Sequence, residues 1–152
     1  MQSAIISDTS CLILLDKIGE LHLLNKLYGR IVVTPEIVKE FGKKLPEWFD
    51  VKSPVNKTYQ RILEASLDLG EASAIALAIE EKDSLLIVDE LKGRKFAEQL
   101  GLNFTGTLGI LIRAKQRGIL SSIKPALQKI KQTNFRLSKE LEQRILVSVG
   151  ES

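Results

Sequence analysis

Cysteine and histidine are almost absent from this chain of 152 residues, which contains one of each, Cys11 and His22. A single cysteine cannot form an internal disulfide, and Cys11 lies in an apolar run where a buried structural thiol is expected. His22 stands between two leucines without a partner for a ligand set, so Cys/His catalysis and His-rich zinc sites are poorly supported. Any chemistry of this protein must therefore come from other side chains.

Long apolar runs are also missing. No stretch approaches the length of a membrane span, and the N-terminus lacks the basic and apolar segments of a secretory signal. We therefore expect a cytoplasmic protein with no membrane partner. With 44% hydrophobic and 27% charged residues, the composition is typical of a compact globular domain. The net charge of +3 permits nucleic-acid binding but does not demand it, because a small lysine excess also serves solubility.

Short apolar runs alternate with helical patterns along the chain. Strands are predicted at Ala4–Ser7, Ile31–Val33, Ser84–Val88 and Asn103–Thr105, with an edge strand at Phe49–Val51. The helical patterns between them include Asn56–Leu67 and Glu71–Glu81, separated by Gly70, and two amphipathic helices lie within residues 123–149. This alternation predicts one three-layer α/β domain over residues 1–152, with a central mostly parallel sheet flanked by helices. The terminal helices are expected on the core or at a dimer interface.

Two of the predicted strands end abruptly on an aspartate, Asp8 and Asp89. Strand ends on one edge of a parallel sheet line the ligand crevice, so both carboxylates are expected in the same cleft. Neighbouring carboxylates repel each other, and such a pair usually needs protons or a divalent cation. The structural alternative is that each aspartate merely caps the helix after its strand.

Other motifs built on a strand-terminal aspartate do not fit. A haloacid-dehalogenase-type phosphatase requires an aspartate where Ser10 stands, and an integrin-type metal site requires a serine where Leu12 stands. A dinucleotide-binding turn requires glycines directly after the first strand, and there are none. Glu40 and Glu71 are further acidic candidates. Their structural alternatives are a solvated helix charge and a favourable contact with a helix dipole.

Several segments together resemble the PIN-domain family, the metal-dependent nuclease fold that includes VapC-type toxins of prokaryotic toxin–antitoxin systems. They are Ile5–Ser10, Val33–Phe41, Leu69–Ala78 and Leu86–Arg94, and Gly101–Gly109 is similar to a PIN-like subgroup of bacterial and archaeal proteins. The resemblance extends from the first strand to about Arg117, and the terminal helices are similar to the same subgroup. Its specificity lies in the order and spacing of the segments.

The resemblance implies an acidic catalytic site made by four residues. Asp8 matches the first acid of the family pattern, Glu40 the second, Glu71 the third and Asp89 the fourth. Asp8, Glu71 and Asp89 are then the expected metal ligands. Hard oxygen ligands of this kind favour Mg²⁺ or Mn²⁺.

Secondary candidates lie beside these acids. Thr9 or Ser10 matches the hydroxyl group that often accompanies the first aspartate, and Glu90 is a further possible ligand. Two positions depart from the family pattern: the third acid is more commonly aspartate, and Ile87 stands where a polar residue is often found. Glu71 reaches further than an aspartate by one methylene group, and Ile87 offers no polar group to the site.

The implied activity is metal-dependent endoribonucleolytic hydrolysis of RNA, leaving a 5′-phosphate and a 3′-hydroxyl. A toxin of this kind would have a protein antitoxin that blocks its acidic cleft, and PIN proteins are commonly homodimers. Two alternatives remain: a catalytically inactive PIN-like nucleic-acid-binding module, and a structural domain whose acids are helix caps. Stabilisation by divalent cations would distinguish the last alternative, since caps do not bind them.

Basic residues follow the fourth acid. Lys92, Arg94 and Lys95 come directly after Asp89, and we expect them to hold phosphates of the RNA. Thr107, at a predicted helix N-terminus, is expected to add a donor for the same anion. A solvated helix face would explain the same charges.

Overall fold

The computed structural model describes residues 4–152 and shows a five-stranded sheet between layers of α-helices. The strands are β1 (Ile5–Ser7), β2 (Ile31–Val33), β3 (Phe49–Val51), β4 (Leu85–Ile87) and β5 (Asn103–Thr105). Their order is β3-β2-β1-β4-β5, and every neighbouring pair is parallel. The predicted three-layer α/β class is confirmed, and these strands are all parallel. The start of the predicted domain, residues 1–3, lies outside the described residues.

Helices connect the strands, as parallel pairing requires. They are α1 (Thr9–Lys17), α2 (His22–Tyr28), α3 (Pro35–Phe41), α4 (Thr58–Leu63), α5 (Leu69–Glu80), α6 (Leu91–Gln99), α7 (Thr107–Gln116), α8 (Lys124–Lys131) and α9 (Lys139–Ser148). None of the helices described in residues 4–152 is long and apolar enough to cross a membrane.

The strand order changes direction between β1 and β4. From β1 the chain moves outward through β2 and β3, and it then returns to place β4 and β5 on the other side of β1. In sheets of this kind the ligand crevice forms at such a switch point, beyond the carboxyl ends of the strands. Asp8 directly follows β1 at this edge, and its backbone amide donates to the carbonyl of Ile87 at the end of β4 at 2.9 Å. The fold therefore places the first acid at the expected position of a ligand site.

The helix predicted over Asn56–Leu67 is wrong at both ends, because α4 covers only Thr58–Leu63. The Asn56 carboxamide accepts a hydrogen bond from the Thr58 amide at 2.9 Å, which makes a turn of the residues before the helix. After the helix, the Ser66 amide donates to the Leu63 carbonyl at 3.0 Å, a tighter spacing than an α-helix uses. A side-chain hydrogen bond therefore precedes the helix, and a bond of tighter spacing follows it.

The next helix, α5, begins before Gly70 rather than after it. Asp68 is its N-cap, and the Asp68 carboxylate accepts a hydrogen bond from the Glu71 amide at 2.9 Å. Gly70 therefore lies in the first turn of α5, and the prediction that it separates two helices is wrong. This shift matters because it fixes Glu71 in the first turn, close to the sheet.

The terminal helices pack on the domain core. Their buried apolar side chains include Leu127, Ile130, Ile145 and Leu146. Glu151, just after α9, accepts hydrogen bonds from the Ile123 amide at 2.9 Å and the Ser122 hydroxyl group at 2.7 Å. These bonds lower the pKa of Glu151 to about 2 and tie the end of α9 to the start of α8. Cys11 is fully buried in the same core, as expected for a structural thiol.

Candidate active site

Asp8 caps α1, and only one of its two carboxylate oxygens takes part in the cap. Its Oδ1 accepts a hydrogen bond from the Cys11 amide at 3.0 Å, which confirms the capping contact at the start of α1. The side chain has no exposed surface, and Oδ2 is buried without a hydrogen-bond partner among residues 4–152. A buried carboxylate oxygen without a donor is costly, so this atom is suited to bind a proton or a cation.

The electrostatic surroundings of Asp8 agree with this. Burial is the main effect that raises the pKa of Asp8 well above its ordinary value, and the Cys11 amide opposes it. The carboxylates of Asp89 and Glu71 raise the pKa further, which places both acids within electrostatic range of Asp8. Clustered, desolvated carboxylates are typical of functional sites.

Glu71 shows the same combination of burial and an unpartnered oxygen. The residue is 6% exposed, and Oε2 is buried without a hydrogen-bond partner in the described part of the chain. A Cβ atom added to Gly93 would lie 3.0 Å from this oxygen, so α6 approaches it with the smallest residue. Burial, followed by the charges of Asp68 and Glu90, raises the pKa of Glu71 to about 7.

Asp89 is held by the start of α7. The backbone amide of Thr107 donates to Asp89 Oδ1 at 2.8 Å, and the Thr107 hydroxyl group donates to Oδ2 at 2.6 Å. The same hydroxyl oxygen lies 3.1 Å from the sulfur of Cys11. Because the hydroxyl hydrogen is used by the carboxylate, the thiol is the donor in that last contact. Two charge-assisted bonds therefore fix the orientation of Asp89.

Thr107 is thus occupied differently from the prediction. It is fully buried, and both its amide and its hydroxyl group bind a carboxylate of the protein. The expectation that Thr107 donates to a phosphate of the RNA does not fit this geometry. Its contacts instead make it a positioning residue for Asp89.

Glu40 lies at the junction of three helices. Its Oε1 accepts a hydrogen bond from the Thr9 hydroxyl group at 2.5 Å, and its Oε2 accepts one from the Gly70 amide at 3.2 Å. Thr9 and Gly70 lie in the first turns of α1 and α5, next to Asp8 and Glu71. Glu40 on α3 therefore connects the two helix starts that carry these acids.

Ser10 and Glu90 line the open side of the site. Both border a groove of about 750 Å³ that also contacts Asp89. Glu90 is exposed, and its carboxylate contributes to the raised pKa of Glu71. Within residues 4–152, no three acidic, histidine or cysteine side chains converge closely enough to complete a metal-ligand set. The two unpartnered oxygens of Asp8 and Glu71 are nevertheless the hard donors that a divalent cation requires.

Arg94 faces the same cleft from α6. Its guanidinium carbon lies 5.1 Å above the centre of the Phe104 ring, within the range of a cation–π contact. A Cβ atom on Gly106 would lie 2.8 Å from an Arg94 nitrogen and 2.6 Å from Asp89 Oδ1, so both groups approach this glycine. Across the described chain, no ion pair involves Arg94. Lys92 and Lys95, its neighbours on α6, are exposed.

One wall of this site was not predicted from the sequence. The groove of about 750 Å³ is bordered by Lys17 of α1 and by Asn134, Phe135 and Arg136, which lie between α8 and α9. No motif marks these residues, because they are far from the acids in the sequence and come together only through packing of the terminal helices. The only sequence signal for this wall was the adjacent aromatic and basic pair, Phe135 and Arg136.

We predict that Thr107→Val destabilises the protein by about 2 kcal/mol, because the Asp89 carboxylate loses its charge-assisted hydroxyl donor without a change of side-chain size. Chemical unfolding monitored by circular dichroism measures this loss. Thr107→Ser keeps the hydroxyl group and should recover most of it. Equal destabilisation by both variants would mean that the methyl packing of Thr107, rather than its hydrogen bond, matters.

A family model described as a PIN domain matches residues 4–151. This range includes the whole sheet, all four predicted acids and both terminal helices. No curated protein and no solved structure gives a significant match to the chain.

Proposed function

Because the chain belongs to the PIN-domain family, whose members are generally nucleases, we propose that it is a divalent-metal-dependent endoribonuclease acting on RNA phosphodiester bonds. The observation that carries this proposal is the buried, unpartnered Oδ2 of Asp8, which lies within electrostatic range of Glu71 and Asp89. Most buried polar side-chain atoms in proteins have a hydrogen-bond partner, and this oxygen has none within the described chain, while two further carboxylates raise the pKa of its own carboxyl group.

Asp8, Glu71 and Asp89 are the proposed ligands of Mg²⁺ or Mn²⁺. When bound, such an ion supplies an activated water and stabilises the charge that develops on the phosphate. The chain's own residues prepare the site. Thr107 orients Asp89, and Glu40 fixes the helix starts that carry the other two acids. Arg94 has no ion pair within residues 4–152 and is therefore the proposed phosphate contact beside Asp89.

We propose that the protein acts as the toxin of a toxin–antitoxin pair, with the antitoxin covering the acidic cleft. Leu91 is 70% exposed and Ile13 is 39% exposed, and both line the groove beside Asp89. Exposed apolar side chains at the rim of a charged cleft suit a protein inhibitor. Growth arrest on induced expression, absent with Asp8→Asn, would support this role, whereas unimpeded growth would contradict it.

An inactive nucleic-acid-binding module is the second candidate, because within residues 4–152 the acids do not converge into a complete ligand set. The same residues that hold phosphates would then bind RNA without cleaving it. Cleavage and binding must therefore be measured separately.

The proposal is tested with end-labelled single-stranded and structured RNA in Mg²⁺, Mn²⁺ or EDTA. We expect cleavage in either cation, none in EDTA, and product ends that carry a 5′-phosphate and can therefore be ligated directly. Asp8→Asn protein purified in parallel controls for contaminating nucleases. RNA binding without cleavage would favour the inactive module. A protein that neither binds nor cleaves RNA would contradict both candidates.

A further inference from the structure

The groove of about 750 Å³ extends from the acidic cleft along α1 to the segment between α8 and α9. Asp89 and Glu90 form its acidic end, so it is continuous with the proposed active site. Its volume is within the range of pockets that hold small organic ligands, about 300–1,000 Å³. A chain that enters the active site must have a path on at least one side of it, and this groove provides one.

Two cations stand in this groove. Lys17 of α1 and Arg136 both line it, and both are exposed. Across residues 4–152 neither forms an ion pair, whereas other surface lysines such as Lys43 and Lys131 pair with acids. Unpaired cations beside an acidic centre can neutralise the backbone phosphates of a nucleic acid that enters this centre.

Phe135 borders both this groove and a second cavity. It lines both the groove and a cavity of about 380 Å³ that contains Asp89, Arg94 and Gly106. The position of Phe135 is fixed locally: its amide donates to the Thr133 hydroxyl oxygen at 3.1 Å, and that hydroxyl group donates to the last turn of α8. A partly exposed, held ring between two cavities offers a surface on which an unpaired base can stack.

We propose that this groove binds the single-stranded part of the RNA on one side of the cleaved bond. A base stacks on Phe135, and backbone phosphates contact Arg136 and Lys17. A ring placed between two cavities serves a splayed single strand and not a base-paired helix, whose bases are stacked inside it. The inference rests on the proposed function, because it assumes that a nucleic acid enters the acidic cleft.

Binding of a fluorescent single-stranded RNA to the Asp8→Asn protein, followed by anisotropy, tests the two cations. We expect Lys17→Ala/Arg136→Ala to weaken binding about tenfold at moderate salt. Each phosphate contact removed should lower the slope of log K against log salt by about 0.7, a total of about 1.4 for the double variant. Loss of structure alone would not produce this change of slope.

Lys26→Ala/Arg113→Ala is the matched control. Lys26 lies near the end of α2, which leads into the start of β2 and therefore lies away from the carboxyl ends of the strands. Arg113 lies near the same end of α2, because its charge lowers the pKa of Tyr28. The control removes the same charge, and it should leave the affinity and the salt slope unchanged. An equal loss of RNA affinity in both double variants would mean that only the net charge of the protein matters, and it would overturn the proposal.

Phe135→Leu keeps an apolar side chain in place and removes the stacking surface. We expect it to weaken binding of single-stranded RNA about fivefold or more. Unchanged binding in this variant would overturn the stacking role of Phe135.

Hydrolysis of bis(p-nitrophenyl) phosphate separates failure of the groove from failure of the nuclease. This phosphodiester has no flanking nucleotides to contact Lys17, Phe135 or Arg136, so the groove variants in the otherwise wild-type protein should hydrolyse it as the wild type does. Their kcat/KM should fall only for RNA. If the wild type hydrolyses neither substrate, the nuclease proposal fails, while the binding comparison still decides the groove.

Discussion

Asp8→Asn is expected to lower the nuclease kcat/KM at least about a thousandfold and, in EDTA, to leave the protein as stable as the wild type or more so. A thousandfold loss corresponds to about 4 kcal/mol of transition-state stabilisation, a reasonable size for a carboxylate that holds a catalytic cation. The substitution keeps an oxygen for the Cys11 amide, so the start of α1 is preserved. It removes only the negative charge of Asp8. That charge is costly in the folded protein, because burial and the neighbouring acids raise the pKa of Asp8.

The opposite signs of these two effects make the prediction specific. RNA cleavage in Mg²⁺ and thermal unfolding in EDTA measure them on the same preparation. Asp50→Asn is the matched control, because Asp50 is an exposed aspartate that pairs with Arg30 and lies outside the cleft. It should retain full activity. Loss of activity together with a lower melting temperature in Asp8→Asn would instead indicate damage to the fold.

The strands, and with them the position of the first acid, follow from local sequence. Ile31–Val33 and Asn103–Thr105 are predicted with the bounds that the structure shows, because short β-branched or apolar runs end at proline or glycine signals. Asp8 and Asp89 could be assigned to one cleft since parallel strands share their carboxyl edge. The order of strands and helices, which is visible in the sequence, is sufficient for this assignment.

The partners of the acids could not be predicted in this way. Thr107 begins a helix, and its sequence does not say whether its donors meet a phosphate or the carboxylate of Asp89. That choice depends on the distance between β4 and the start of α7 in the folded protein. The same is true of Phe135 and Arg136, which the packing of α8 and α9 brings to the groove. Contacts between distant segments are set by tertiary packing and leave no periodicity to detect.

Glu71 gives the second large expected effect, a dependence of stability on pH that has an unusual sign. Its pKa is about 7 in the folded protein, against an ordinary value of 4.5. Between these pH values the folded state binds more protons than the unfolded state, so the metal-free protein loses stability as the pH rises through this window. We expect a loss of about 1–2 kcal/mol by pH 8, less than the full shift implies because solvent screens part of the interaction.

Chemical unfolding in EDTA between pH 4 and pH 8 measures this loss. Glu71→Gln should flatten the profile and be the more stable protein at pH 8, with little difference near pH 4, where both side chains are neutral. The raised pKa of Asp8 acts in the same direction, so part of the slope should remain in this variant. Glu98→Gln, at an exposed position of α6, is the matched control and should keep the wild-type profile.

A divalent cation should reverse the trend, because the cation and the proton compete for the same oxygens. At a concentration one hundred times its dissociation constant, Mg²⁺ would stabilise the folded protein by about 2.7 kcal/mol at pH 8. Much less stabilisation is expected at pH 5, and little at either pH in Asp8→Asn or Glu71→Gln. Stabilisation that is equal at both pH values, or that survives both substitutions, would place the cation elsewhere.

The sign of the slope also tests the capping alternative: a carboxylate that only caps a helix has a lowered pKa and stabilises the fold as the pH rises. A fall in stability in EDTA that Mg²⁺ reverses is therefore what a metal site predicts and what a set of caps does not.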